Sequence, residues 1–438
     1  MSYLVGVLVM VVGVLVSIGL HELGHMVPAK RFGVRVSQYM VGFGPTLWSR
    51  TRGETEYGIK AIPLGGYVRL VGMYPPGDPR KERRAGRVAE LVQSARDASA
   101  EEIHPGEEHR AFYNLSAPKK LVVMLGGPLV NLVIAVVLVS VVVVGFGTLG
   151  PTTTLGTVAQ CVLPLDAPEG ATCTDSDEAA PAAAAGLLPG DTIVEFDGER
   201  VGSWDELATL ISLSGGRPTD VVVDRGGDAV ESVVTPVVTD RPVLDGTGVV
   251  VVGPDGEPRT RQIGYLGIGP TQELQPQSIT VVPGMIGERL EATAVAIATL
   301  PQRMADVAEA AFGDAERDET SIVGVVGVGR FAGEITSAEI DGYGTDLMAA
   351  DLLMLLAGLN VALFGFNMIP LLPLDGGHVV GALYEGSRRS IARARGLPRP
   401  SPADTARMMP LAYGVFVVLA AMGALLIYAD IVKPVRLM

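Results

Sequence analysis

The chain has little of what most soluble enzymes use for chemistry. Of its 438 residues only 19% are charged and 5% aromatic, and it holds two cysteines, two tryptophans and five histidines. Two cysteines exclude a disulfide scaffold and a multi-cysteine metal cluster. A net charge of −14 argues against nucleic acid as a partner, because phosphates call for a basic face. Charge is missing altogether from residues 3–20, 121–150, 352–374 and 408–429. Each stretch reaches the roughly 18 apolar residues at which a helix can cross a bilayer. With 48% hydrophobic residues, the chain is too apolar to be disordered. The first stretch lacks the basic leader and small-residue cleavage site of a signal peptide, so it reads as a retained span.

Lysine is absent from residues 149–349, which carry 10 Arg against 32 Asp/Glu, a net of −22. Residues 26–120 carry 16 Lys/Arg against 10 Asp/Glu, a net of +6. Basic residues near span ends stay in the cytoplasm. The expected topology is therefore four spans with both termini outside, residues 26–120 and the Arg-rich 375–407 inside, and 149–349 outside. Lys433 and Arg436 weakly oppose it. Cys161 and Cys173 both fall in the external segment, where a disulfide is favoured over free thiols. Such a link would staple one loop and carry no chemistry.

The first apolar stretch runs directly into His21-Glu22-Leu23-Gly24-His25, an H-E-x-x-H sequence. On a helix, residues i and i+4 share a face, so two imidazoles can converge on one zinc while Glu22 reaches a water beside it. Ionisable groups continuing an apolar helix are costly, which calls for a compensating ligand. Two histidines need a third protein ligand. His104 and His109 lie in a charged loop and read as solvated. The third apolar stretch leads through Asn367-Met-Ile-Pro370-Leu-Leu-Pro373-Leu to Asp375-Gly-Gly-His378. It begins outside, so Asp375 arrives on the side that holds His21 and His25. His378 is the alternative ligand. The prolines leave backbone groups unpaired, a pattern tolerated at membrane depth where backbone lines a cavity or meets a substrate. A polar cluster just outside the membrane is the bland alternative for the motif.

H-E-L-G-H at the end of a first span, with N-x-x-P-x-x-P-L-D-G near the end of a later one, resembles the bacterial site-2 proteases, zinc intramembrane proteases of regulated proteolysis. The resemblance covers nearly the whole chain. It implies one zinc per chain held by His21, His25 and Asp375, with Glu22 as the catalytic base and Asn367 helping to hold substrate. It also implies a membrane-associated β-loop with a G-x-G element, matched by Gly42-Phe43-Gly44. Read from the residues, 41–72 is a Gly-punctuated run of short β-like segments. These form either an ordinary hairpin or an edge that pairs with an unwound substrate by β-augmentation.

Residues 181–198, PAAAAGLLPGDTIVEFDG, followed by VGSWDELATLI, combine a short helix, a turn, a strand, an Asp197-Gly198 turn and an amphipathic helix. The run is similar to a PDZ domain of the bacterial protease type, in one copy. The groove could take an extended peptide or act as a size filter. The expected fold class is a four-span α-helical membrane protein with a cytoplasmic-side β-loop and one extracytoplasmic α+β PDZ-like domain. Its expected parts are helix 1 at 1–25, a hairpin or re-entrant region at 26–74, a charged, mostly mobile insertion without chemistry at 75–117 and helix 2 at 118–150. The PDZ-like domain follows at 152–270 and a linker at 271–349, whose apolar run 321–333 leans on the third span. Helix 3 with the L-D-G motif at 350–378, a basic loop at 379–407 and helix 4 at 408–430 complete the chain.

The resemblance implies a protease of the bacterial plasma membrane whose active site lies near the cytoplasmic side. Its substrate would be a single-span membrane protein of the anti-sigma-factor class, already trimmed outside by a site-1-type protease. The rivals are a non-catalytic PDZ scaffold with a vestigial metal site and a metal transporter. The first sits badly with an intact His21, Glu22, His25 and Asp375. The second would want polar residues along a path, whereas here they cluster near one face, with Asn131 and Asn360 the main ones that stray.

Overall fold

The computed structural model describes residues 2–76, 87–163, 172–174, 177–242, 252, 259–313, 317, 321–338 and 344–435. Parts of the charged insertion (77–86) and of the PDZ-like segment (164–171, 175–176, 243–251, 253–258) lie outside them. The chain divides into two units, Met1–Phe146 with Gln277–Met438, and Gly147–Pro276.

The first unit opens on α1 (Ser2–Arg31), which carries the H-E-x-x-H sequence inside one continuous helix, six residues beyond the expected end. It stops where Gly33, at φ 82°, takes a left-handed conformation and Val34 N–H donates back to the Ala29 carbonyl. One face buries Met10, Ser17, His21, Glu22, His25 and Ala29, while Leu4, Val5, Leu8, Val12 and Val16 stay exposed. An exposed apolar face on a long helix suits lipid. Next come β1 (Val36–Arg52) and β2 (Thr55–Leu70), an antiparallel pair in which each long strand folds on itself. Tyr39–Val41 pairs with Gly66–Val68 on one side and Tyr57–Ile59 on the other, leaving Gly66–Leu70 at an edge. The insertion contains α2 (Arg87–Glu101), so this part of it is an ordered helix rather than a mobile loop. Arg96 pins α2 to Asp404 at 2.7 Å, and Arg69 meets Glu102 at 2.8 Å. Then α3 (Ala117–Val141) begins the second apolar span, which continues to Phe146.

In the second unit β3 (Thr148–Val158), α4 (Pro181–Ala184), β4 (Thr192–Phe196), β5 (Glu199–Arg200), α5 (Trp204–Leu213), β6 (Thr219–Arg225), β7 (Asp228–Val234), β8 (Val237–Pro242), β9 (Thr260–Tyr265) and β10 (Ile268–Gln275) follow in order. The main sheet runs β10-β3-β4-β6-β7, with β5 on β4, and β8-β9 form a second pair. Leu155, Ile193, Phe196, Leu207, Val221 and Leu266 fill its core. Asp197 and Gly198 both have positive φ, the backbone of a tight hairpin turn. Arg225 bonds Asp191 through Nε and Nη2, each at 2.7 Å, and holds that carboxyl below the ordinary carboxylate range. Cys161 and Cys173 are joined by a disulfide.

The chain then returns to the first unit with α6 (Val282–Ala298), α7 (Leu300–Phe312), α8 (Val325–Ser337), α9 (Thr345–Asn367), α10 (Asp375–Ala394) and α11 (Met409–Val432). The apolar run expected to lean on the third span is α8. It packs chiefly on α1 instead, because Gly333 and Ala332 give room to Tyr3 and Gly6. Asp430 of α11 pairs with Arg317 at 2.9 Å and accepts from the Gly324 and Gly327 N–H groups, fixing the start of α8. Helix 3 does not run to 378: α9 ends at Asn367, and Pro370 and Pro373 deny the next turn its N–H donors. Much of the basic "loop" is α10. Glu385 of α10 receives Lys120 of α3 at 2.7 Å and Arg389 at 2.6 Å. Stripping one partner from a buried pair of this kind costs ~3–5 kcal/mol, so α10 is firmly tied to α3. Among the described residues four helices, Ser2–Arg31, Ala117–Phe146, Thr345–Asn367 and Thr405–Val432, are long and apolar enough to cross a membrane.

Candidate metal centre

Helical spacing in α1 sets His21 and His25 one turn apart on its buried face, with Glu22 beside them. The third residue comes from the break after α9. Asp375 is the first residue of α10, and the two glycines after it lie against the preceding turn. A Cβ on Gly376 would sit 2.6 Å from the Met368 carbonyl oxygen, and one on Gly377 2.6 Å from Leu372 N. Only glycines let the turn fold onto α10 this closely, and that contact aims Asp375 at α1. The cluster of Met26, Ala29, Val36, Leu70, Val123 and Val379 ties α1, the β-sheet, α3 and α10 together beside it.

His21 Nε2 lies 3.4 Å and His25 Nε2 3.3 Å from Asp375 Oδ2, and the two nitrogens are 3.3 Å apart. Among the described residues this is the trio able to hold a metal ion. Zinc bonded to N and O at about 2.0–2.1 Å in a tetrahedron needs donor atoms about 3.3–3.4 Å apart, so the three spacings fit its edges. Asp375 Oδ2 is buried and makes no hydrogen bond among the described residues, a costly state for a carboxylate without a cation. The trio fits zinc on both counts.

Glu22 stands outside the trio and lines an adjoining cavity of about 660 Å3. The edge residues Gly66–Leu70 form another wall, and a Cβ added at Gly66 would meet Glu22 Cγ at 3.1 Å. Asn367 and His378 also line the cavity, and the trio takes Asp375 rather than His378. Gly42, Phe43 and Gly44 are not among its lining residues; Phe43 stacks on Tyr67 of the edge segment that is. Three contributions escaped the sequence reading. Helix α2 walls the cavity with Leu91, Ser94, Ala95 and Ala98, although the insertion showed no chemistry-bearing pattern. Tyr413 of α11 joins them. Gly127 of α3 lies against both imidazoles: a Cβ there would fall 2.7 Å from His25 Cδ2 and 2.8 Å from His21 Cε1. The Gly126-Gly127 pair in an apolar run was its available signal. Gly127→Ala should displace both rings and cut turnover by ~10²-fold, as misplacement near 1 Å does. Zinc content and reporter cleavage of the folded variant check this, and wild-type values for both would refute the packing reading.

The model of peptidase family M50 matches residues 9–397. The chain belongs to peptidase family M50, the site-2 proteases. This M50 peptidase is 32% identical to the zinc metalloprotease Rip1 of Mycobacterium tuberculosis across the whole of both chains. It is equally similar to Rip1 of Mycolicibacterium smegmatis, and 28% identical to the metalloprotease MmpA of Caulobacter vibrioides over 89% of this chain and 90% of that one. The M50 peptidase is thus a zinc metalloendopeptidase of the membrane, acting on membrane protein.

Proposed function

We propose that this M50 peptidase holds one zinc ion on His21, His25 and Asp375, and cuts a single-span membrane protein within or near its bilayer segment with Glu22 as base. The observation that carries the proposal is the triangle of donor atoms at 3.3, 3.3 and 3.4 Å, spaced as a tetrahedral zinc site requires. Zinc held there supplies Lewis acidity, lowering the pKa of a water and polarising a peptide carbonyl. Glu22, within the same cavity, takes the proton of the attacking water and gives it to the leaving amine nitrogen. A helical substrate keeps its peptide groups bonded to itself, so it must unwind and find replacement partners. The edge Gly66–Leu70 offers them by strand addition beside Glu22, and Asn367 offers a side-chain amide.

The charge asymmetry between residues 26–120 and 149–349 supports an active site near the cytoplasmic side, with the Gly147–Pro276 unit extracytoplasmic. That unit's short helix, Asp197-Gly198 turn and helix α5 support a PDZ-like domain, which either holds a peptide or turns away substrates with bulky external domains. A substrate trimmed first by an external protease, of the anti-sigma-factor class, fits such a filter. The intact trio and its cavity weigh against a non-catalytic scaffold. One experiment tests the reading: co-express a single-span reporter tagged at its cytoplasmic end, with and without its external domain. Release of the tag into the cytosol from the trimmed form only, stopped by the chelator 1,10-phenanthroline, is the expected result. Chelator-insensitive release, or a fragment freed on the outside, would overturn it.

A further inference from the structure

Asn131 lies on α3 one helical turn beyond Gly127 and is 1% exposed, in a helix otherwise apolar around it. A carboxamide in such a place is expensive unless it bonds something. It faces the ring of His21: the Asn131 amide nitrogen Nδ2 stands 3.1 Å from His21 Nδ1. Its Oδ1 is buried and has no hydrogen-bond partner among the described residues, so no bond on the oxygen fixes which end of the amide faces the ring.

A neutral imidazole carries one N–H. For Nε2 to offer a lone pair to a cation, the hydrogen must sit on Nδ1, and a buried Nδ1–H needs an acceptor. His25 has one, because its Nδ1 lies 2.8 Å from the Val123 carbonyl oxygen on the same helix. The group facing His21 Nδ1 in the same way is the Asn131 carboxamide. In the orientation recorded the NH2 end donates to Nδ1, which puts the ring hydrogen on Nε2, away from metal binding. A half-turn about Cβ–Cγ puts Oδ1 there instead, and both histidines then present lone pairs toward Asp375.

We propose that Asn131 is a positioning residue whose carboxamide oxygen accepts from His21 Nδ1–H and so keeps the Nε2 lone pair directed at the zinc. This rests on the reading that His21, His25 and Asp375 hold the metal. Helix α3 then orients both imidazoles, one through a carbonyl and one through a side chain.

The test is zinc affinity, by chelator competition on the full-length protein in detergent, with the unfolding temperature of each zinc-free variant measured alongside. Asn131→Leu keeps the branched four-atom shape and loses both acceptor and donor; Asn131→Asp keeps an acceptor and loses the donor. Asn131→Leu should bind zinc ~10–100-fold more weakly, as loss of a ligand's outer partner does, while Asn131→Asp should stay within about threefold of wild type. Zinc affinity unchanged in Asn131→Leu overturns the proposal. So does an Asn131→Asp variant as weak as Asn131→Leu, because volume or donation would then be what matters. If Asn131→Leu does not fold, Asn131→Asp decides alone: retained zinc supports acceptance, and lost zinc overturns it. His21→Ala separates the two readings. If it binds zinc like wild type, the metal site itself has been misassigned; if it loses zinc while Asn131→Leu does not, only the role of Asn131 fails.

Discussion

Glu22→Gln should keep its zinc and lose peptide-bond cleavage by ~10²–10⁴-fold, the usual worth of a positioned general base. The substitution is nearly isosteric and removes only basicity. Zinc should stay because the trio of donor atoms does not include Glu22. Cleavage should go because the cavity brings to the metal trio one other carboxylate placed to serve, Glu22 itself, beside the edge segment at Gly66. Glu102 lines the same cavity but is engaged with Arg69 at 2.8 Å. A glutamine cannot take the water's proton, and no proton then reaches the leaving amine. Metal analysis of the purified variant and a time course on the single-span reporter measure the two halves. Undiminished cleavage would sink the mechanism, and loss of zinc would make Glu22 a structural residue of the site.

What the sequence made legible follows from which signals are local. H-E-x-x-H is local: once α1 is helical, the 3.6-residue period sets the two imidazoles on one face without further help. The four spans are local as well, since each is an uninterrupted apolar run. Charge bias and span direction brought Asp375 to the same side, and the structure places its carboxylate against both histidines. The turn that aims it was not legible as such. The sequence suggested a helix through residue 378, whereas two prolines end α9 and a pair of glycines let α10 start against that turn. Contacts between distant segments were the least visible. Nothing in the composition of α2 marks it as a cavity wall, because its lining residues are Leu, Ser and Ala, which read equally well as any amphipathic surface. The Gly42-Phe43-Gly44 element drew attention as a motif, yet the wall of the cavity is the segment Gly66–Leu70, paired to the same strand. Pairing partners follow from register, which a Gly-rich run specifies weakly.

Asp375→Ala should weaken zinc binding by more than ~100-fold, beyond the loss of an outer partner, and reduce cleavage with it. Three consequences of the geometry lead there. Asp375 is the sole anionic donor of the trio, so its loss leaves a divalent cation on two neutral imidazoles. Its Oδ2 also spans both histidines, at 3.4 and 3.3 Å, so its removal opens two edges of the donor triangle at once. And the helix should survive, because Ala is a good helix former at the first position of α10 and the Lys120–Glu385–Arg389 cluster still ties α10 to α3. Loss of zinc would therefore report the ligand and not the fold, which circular dichroism of the variant checks. His378→Ala supplies the contrast: three residues further along α10, it lines the cavity but stands outside the trio, and it should keep zinc near the wild-type level. Zinc lost from His378→Ala and kept by Asp375→Ala would exchange their roles. The lower part of α10 would then have to turn toward α1, against the tight seating of Gly376 and Gly377 on the preceding turn. That seating allows little rotation, and it is why the carboxylate, rather than the imidazole, is expected to carry the metal.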